Sequence, residues 1–307
     1  MKTKLLDKTK IKDAAMILRQ GGLVVFPTET VYGLGANGLD EMAVANIFKA
    51  KGRPSDNPLI LHIHDADQLK EIVHHVPESA KILMKKYWPG PLTLVFEKQP
   101  HIPHNVTAGL STVAVRMPNN EIALELLKAV TVPVAAPSAN LSGRPSSTKV
   151  NHVLDDLDGK VEAVIDGGDS VIGIESTVLD VTTTPPTLLR PGFISKADIE
   201  LVLGYSVQTS LTSEAPKSPG MKYQHYQPRV PVYWRSGHRD LILKEMNSIG
   251  KTLSIIDYPN EQNFYALLRE YDKKGIDAII VITESSDIVP EGLRDRLSKS
   301  SKNYLEW

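Results

Sequence analysis

FPTETVYGLGANGLDEMAVANIFKAKGRPSDNPLILHI, residues 26–63, is the stretch on which the reading of this chain turns. The apolar run Leu23, Val24, Val25, Phe26 reads as a buried strand, and Pro27, with no amide hydrogen, cannot continue its ladder. Thr28, Glu29 and Thr30 therefore fall where a sheet edge opens. Gly33, Gly35 and Gly38 read as a turn in which the backbone takes positive φ and comes close to a ligand. Asp40 suits the N-cap of a helix over 40–50, whose end returns Lys51 and Arg53 toward the same opening. Hydroxyls, bare backbone and two cations suit a phosphorylated anion. Taken alone, Lys-Gly-Arg-Pro is more often an ordinary helix stop on a solvated face, so the reading depends on what lies beyond it.

Working outward, Ile11, Ala14, Ala15 and Leu18 fall at helical spacing, with Gly21 closing that helix. Strand-like segments follow at 22–26, 59–64, 92–97, 112–117, 133–136, 162–166, 176–182 and 187–190. Helical patterns lie between them at 65–75, 77–87, 119–130 and 148–157, and Ser195 with Asp198 forms a capping box that opens a helix at 196–203. Several strands lie too close for a helical crossover, so the expectation is an α/β fold with a mixed parallel and antiparallel twisted sheet. From Gln208 to Arg229 apolar periodicity is lost and Ser, Pro, Gly and Gln dominate, the composition of a linker. Beyond it, strands at 230–234, 252–257 and 277–283 alternate with helices near 238–248, 261–273 and 290–300. Three βα units in a row predict a small Rossmann-like parallel sheet, without a glycine-rich dinucleotide fingerprint and with no catalytic role expected of it. The expected division is 8–204, a linker or lid at 205–229, and 230–307.

Composition narrows the function. A chain of 307 residues predicts about two domains. Net charge is −1, so no whole-protein field draws in nucleic acid, and direct stable nucleic-acid binding is not expected. The absence of cysteine excludes disulfides, thiolate metal sites and cysteine nucleophiles, and fits a reducing cytoplasm. No apolar run reaches membrane-spanning length, so no membrane partner is expected. His62 and His64 share a strand face and His74 and His75 are adjacent, but neither pair has a third ligand at a persuasive spacing, so no metal site is expected.

Four further segments carry candidate chemistry, each with an ordinary explanation beside it. Thr112 to Arg116 is a strand ending in a cation, able to grip a carboxylate or phosphate, or else an edge arginine in water. Ala136, Pro137, Ser138, Ala139, Asn140 puts two short polar side chains at a loop tip, where turns commonly place them. Gly173, Ile174, Glu175, Ser176 suggests close backbone approach, or a glycine-rich hairpin. Leu188, Leu189, Arg190, Pro191, Gly192 is another strand ending in arginine. Convergence of Arg53, Arg116 and Arg190 on one cleft is the expectation that makes these segments a site.

Together the segments resemble the YrdC-type threonylcarbamoyl-AMP synthase family in its two-domain form. The likeness runs through PTETVYGLG, KGRPSDNPLI, WPGPLTLV, VAVRMP, APSANLSG, GIESTV and LLRPG, and resumes in the linker with SPGMKYQHYQP. It implies a YrdC-like N-terminal catalytic sheet and a nucleotidyltransferase that makes threonylcarbamoyl-AMP and pyrophosphate from L-threonine, bicarbonate and ATP. The product then goes to tRNA-modifying proteins that place it next to the anticodon. Carried over residue by residue, Lys51, Arg53, Ser138 and Asn140 match the catalytic tetrad around the triphosphate. Asn57, Thr112, Ser146 and Arg190 match further nucleotide contacts, and Thr30, His62, Arg116, Ala136 and Ser176 match positions that hold threonine. Tyr223, His225 and Tyr226 are expected to close over the nucleotide as a lid, since a carbamate must be kept from water. Mg2+ is expected to ride on the ATP phosphates. Gln224 departs from the basic residue often found there, which puts a phosphate contact at that position in doubt, and 292–307 is less familiar. Competing readings are an RNA-binding cleft and an enzyme using carbamoyl phosphate; the missing aromatic RNA-binding signature and the absence of cysteine weigh against them.

Overall fold

The computed structural model describes residues 2–210, 225–247 and 251–302. The chain begins with β1 (Lys4–Leu6), α1 (Ile11–Arg19), β2 (Val24–Phe26), β3 (Gly33–Asn37) and α2 (Glu41–Lys51). It continues with β4 (Ile60–His62), α3 (Leu69–Ile72), α4 (Glu78–Tyr87), β5 (Leu92–Glu97), α5 (His104–Thr107), β6 (Thr112–Arg116) and α6 (Glu121–Val130). Next come β7 (Val134–Ala135), α7 (Val150–Leu157), β8 (Ala163–Ile165), β9 (Thr177–Asp180), β10 (Thr187–Arg190), α8 (Lys196–Leu203) and β11 (Gln208–Thr209). The last elements are β12 (Val232–Ser236), α9 (Arg239–Asn247), β13 (Leu253–Asp257), α10 (Phe264–Tyr271), β14 (Ala278–Thr283) and α11 (Glu291–Ser300).

An eleven-stranded mixed sheet runs in the order β1-β8-β2-β3-β7-β4-β6-β5-β9-β10-β11, and a separate parallel sheet in the order β12-β14-β13. Its central strands are apolar on both faces, and helices cover both. On one face Ala14, Ala15 and Leu18 of α1 pack with Leu126, Leu127 and Val130 of α6 over Val24, Phe26 and Ile165. On the other, Val44 and Ile47 of α2, Leu83 of α4 and Val153 of α7 close over Val25, Leu61 and Val115. Fully burying each Leu or Val here is worth about 1.5–3 kcal/mol.

The expected glycine turn is a strand. Gly33–Asn37 pairs antiparallel with β2 (Val25↔Leu34) and, through Ala36↔Ala135, with β7. None of Gly33, Gly35 and Gly38 has positive φ. Their glycine identity answers close packing instead: a Cβ at Gly35 would stand 2.9 Å from Val134 Cγ1, and one at Gly38 would stand 2.6 Å from Leu61 Cδ2. The helix expected over 65–75 is a 3-10 turn followed by only Leu69–Ile72. Asp40 caps α2 by accepting from the amides of Met42 and Ala43, as expected, and Gly52 ends it in the left-handed conformation.

The small sheet does not stand apart from the large one. Ile174 and Val31, from beside the large sheet, pack with Tyr226, Phe264, Tyr265 and Leu293 in one apolar cluster. Two glycines permit the approach. A Cβ at Gly173 would stand 2.4 Å from Glu261 O, and one at Gly292 would stand 2.6 Å from Gly192 O.

Candidate active site

A cleft opens where β2, β4, β6 and β10 end, between the large sheet and the segment that leads into the small one. Its lining includes Thr30, Lys51, Arg53, His62, Arg116, Ala136, Ser138, Asn140, Ser176, Arg190, His225 and Tyr226. The three arginines expected to converge therefore do so. Asn57, Thr112 and Ser146 stand outside that lining. Tyr223 lies outside the described residues.

The parallel pairing of β4 and β6 organises one half. His62 is level with Arg116, and Ile60 with Ala114, so Thr112, at the start of β6, stands level with residue 58, beside Asn57. Arg116 is buried, with Nε donating to Gly90 O at 3.2 Å and Nη1 to Thr30 Oγ1 at 2.9 Å. Its Nη2 lies 2.7 Å from Glu29 Oε1, an ion pair without the angular geometry of a hydrogen bond. Thr30 Oγ1 also bonds Thr28 Oγ1 at 2.8 Å. His62 stands edge-on to Phe26 with Nδ1 3.2 Å from Ile60 O. Burial, reinforced by the neighbouring Arg116 charge, lowers its pKa to about 3, so the ring is neutral near pH 7. A neutral ring does not repel an ammonium group placed beside it.

The other half is built on the end of α2. Lys51 is buried and its Nζ donates to Ser138 O and Asn140 O, both at 2.5 Å. Burial, and then the Arg53 charge, hold its pKa well below the usual lysine value. An ammonium has three donors, so one remains for a ligand. Ser138 Oγ donates to Asn140 Oδ1 at 2.5 Å, while Asn140 Nδ2 donates to Leu141 O and Arg144 O, which fixes the loop tip. Arg53 is anchored by Nη2 on Pro58 O at 3.2 Å. Asn57 is buried, and neither its amide nitrogen nor its oxygen has a hydrogen-bond partner among the described residues. An amide so placed costs about 1–3 kcal/mol unless a ligand completes it.

Arg190 closes the third side. Its Nε and Nη2 donate to Ser176 O at 3.1 and 2.9 Å, and Nη2 also reaches Ser176 Oγ at 3.2 Å. Ser176 Oγ bonds Thr93 Oγ1 at 2.7 Å. Glu175, in the same wall, accepts from Ser146 Oγ, from Tyr265 OH at 3.0 Å and from Arg296 Nε at 2.8 Å. Burial pushes its pKa up, but Arg296, Arg190 and the Ser146 bond outweigh burial and hold it at about 2. Tyr226 covers the cleft with φ +67°, an uncommon conformation for a residue with a Cβ, between the Tyr265 ring at 5.4 Å and Arg296 at 5.4 Å. His225 beside it has a buried Nε2 with no partner among the described residues; burial, then Arg53, lower its pKa to about 4.

Thr93, Tyr265 and Arg296 are not singled out by the sequence, which places Glu29 at the sheet edge without a partner. Arg296 lies 121 residues from Glu175, and no local pattern joins them. The small sheet, given no catalytic role from sequence, thus contributes two groups that touch a cleft-lining carboxylate.

A family model described as "Telomere recombination", covering Sua5, YciO and YrdC, matches residues 16–192, and one described as "Threonylcarbamoyl-AMP synthase, C-terminal domain" matches 194–301. The chain is 44% identical to the threonylcarbamoyl-AMP synthase of Pyrococcus abyssi, over 96% of this chain and 95% of that one. It is 43% identical to the Bacillus subtilis threonylcarbamoyl-AMP synthase, over 95% and 93%. The crystal structure of P. abyssi Sua5 complexed with L-threonine superposes with a TM-score of 0.91 at 42% identity, covering 97% of this chain and 98% of that one. With both of its sheets matched along nearly the whole length, the chain belongs to the threonylcarbamoyl-AMP synthase family.

Proposed function

We propose that this protein forms L-threonylcarbamoyl-AMP from L-threonine, bicarbonate and ATP and passes it to tRNA-modifying proteins. The observation that carries the reading is one cleft that gathers carboxylate- and hydroxyl-binding groups together with phosphate-binding groups. Thr30, His62, Arg116, Ala136 and Ser176 would hold threonine, Arg53, Ser138, Asn140 and Arg190 the triphosphate, and all of them line it. The relatives' names and the threonine in the P. abyssi complex support the same assignment.

The threonine amine and bicarbonate give a carbamate with loss of water. A carbamate oxygen then attacks the α-phosphorus, forming the new P–O bond as the bond to pyrophosphate breaks. Two anions must meet, and Arg53, the remaining Lys51 donor and Arg190 offset their repulsion and the charge that leaves. Arg116 would take the threonine carboxylate, since its contact with Glu29 is not an aligned hydrogen bond and yields readily. Asn57 and Thr112, near one another at the starts of β4 and β6, would take the nucleoside, and Ser146 is held by Glu175. Glu175, the acidic side chain that lines the cleft, is already engaged, so Mg2+ suits phosphate oxygens and water better than a protein cage. When bound it supplies charge neutralisation.

The free space within the cleft is about 60 Å³, well short of the roughly 300–1,000 Å³ of a small-molecule pocket. So small a space fits a lid of His225 and Tyr226 that moves aside as ATP loads. The test is pyrophosphate release with threonine and bicarbonate omitted in turn, for the unaltered protein and Arg53→Ala. Release that needs both co-substrates and falls at least about tenfold in the variant, a barrier rise of about 1.4 kcal/mol, is expected. Threonine-independent release contradicts the reading.

A further inference from the structure

We propose that Arg296, on α11, is a positioning residue for the nucleotide end of the cleft, acting through the cleft-lining Glu175, which also holds Ser146 behind that lining. The proposal rests on the function proposed above and adds a part to it that belongs to the small sheet's side of the molecule.

Glu175 lines the cleft, and a buried carboxylate there repels any triphosphate that enters. It is nonetheless used, because its Oε1 accepts a hydrogen bond from the Ser146 hydroxyl and so fixes where the serine oxygen points. The two requirements are reconciled by Arg296. This side chain is fully buried, and its Nε donates to Glu175 Oε2 at 2.8 Å. Its Nη1 is anchored on Pro191 O at 2.9 Å and Asp295 Oδ2 at 2.5 Å. Charge cancellation across the Glu175–Arg296 pair lets the carboxylate orient Ser146 without presenting net negative charge to ATP.

The helix that carries Arg296 is set against the cleft wall by backbone contact. Gly292, one turn before Arg296, has room for no Cβ beside Gly192 O, and Gly192 itself has none beside the backbone of Ser176 and Thr177. The distance from α11 to the wall is thereby fixed by bare backbone on both sides. The low pKa of Glu175 agrees with Arg296 and Arg190 as its compensating charges.

The measurement is ATP affinity by calorimetry, with ATP affinity and threonine KM determined separately, for the unaltered full-length protein, Arg296→Met, Glu175→Gln with Arg296→Met, and Arg296→Lys. Arg296→Met is expected to weaken ATP binding at least tenfold while threonine KM changes less than threefold. Adding Glu175→Gln, which removes the uncompensated charge and keeps an acceptor for Ser146, is expected to bring ATP affinity back to within threefold. Arg296→Lys, which keeps the charge, is expected to stay within fivefold. If Arg296→Met does not fold, the double variant and Arg296→Lys decide: folded protein with near-normal ATP affinity supports the proposal, and folded protein with affinity tenfold weaker overturns it. Normal ATP affinity in folded Arg296→Met also overturns it, as does a loss that Glu175→Gln fails to repair. ATP binding is read without product formation, so a protein that binds ATP but makes no adenylate would sink the proposed function and leave this result standing.

Discussion

Two glutamate–arginine pairs are buried at this cleft, Glu29–Arg116 at 2.7 Å and Glu175–Arg296 at 2.8 Å, and they are built differently. Glu29 has its ion-pair contact and no aligned hydrogen bond among the described residues. Glu175 is saturated by a serine, a tyrosine and an arginine. The first pair joins residues of the large sheet's own loops and strands, while the second brings in a helix more than a hundred residues later in the chain. A loosely satisfied pair can exchange partners with an incoming carboxylate; a saturated one can only hold its neighbours in place. On this account the cleft recognises threonine by exchange and the nucleotide by a frame already set.

The largest effect that could break this contrast is at Arg116. Arg116→Ala is expected to lower kcat/KM for threonine at least about a thousandfold, roughly 4 kcal/mol, and to cost about 3 kcal/mol of stability by leaving Glu29 buried without its partner. Adding Glu29→Gln should restore much of the stability in denaturant titrations but none of the threonine use. Recovery of threonine use in that double variant would make Arg116 a support like Arg296, and the contrast would fall.

Asn57→Ala sharpens the comparison at the nucleotide end. Its buried amide has no partner to lose and is costly where it stands, so the free variant should be at least as stable as the unaltered protein while ATP KM rises about tenfold. Destabilisation of several kcal/mol with unchanged ATP KM would show an internal role instead.

The smallest effect concerns pH. His62 and His225 have folded pKa values lowered to about 3 and about 4, so both stay neutral in the fold as the unfolded chain takes up protons below about 6.5. Stability they contribute is therefore complete above about pH 6.5 and is lost as pH falls toward those values. Going from pH 7 to 5.5 should cost about 1 kcal/mol for His62, and His62→Gln should remove that share of the slope in denaturation at the two pH values. An unchanged slope would mean that the ring is protonated in the fold.

The local chemistry of the chain was readable and its long-range geometry was not. Asp40 and the Ser195–Asp198 box announce helix starts through side chains next to the amides they cap, and the structure has both. Arg116 and Arg190 could be placed at strand ends from their own segments, but the sheet order that brings them together depends on pairings such as β5 with β9, which no local pattern encodes. Gly33–Asn37 was misread because glycines carry no side chains with which to display a strand's alternation. Lys4–Leu6, a three-residue edge strand with no buried position, gave no alternation either. The resemblance assigns Thr112 to the site; register, not sequence, puts it level with Asn57's neighbour, at the opposite end of β6 from Arg116.

The central claim, that one cleft joins threonine's carbamate to the α-phosphate of ATP, is tested most directly by supplying 13C-bicarbonate, L-threonine and ATP and following the adenylate by mass spectrometry. The account predicts an adenylate of threonine that is one mass unit heavier than with ordinary bicarbonate, formed in step with pyrophosphate. Pyrophosphate or ADP formed with no labelled threonine adenylate would contradict it.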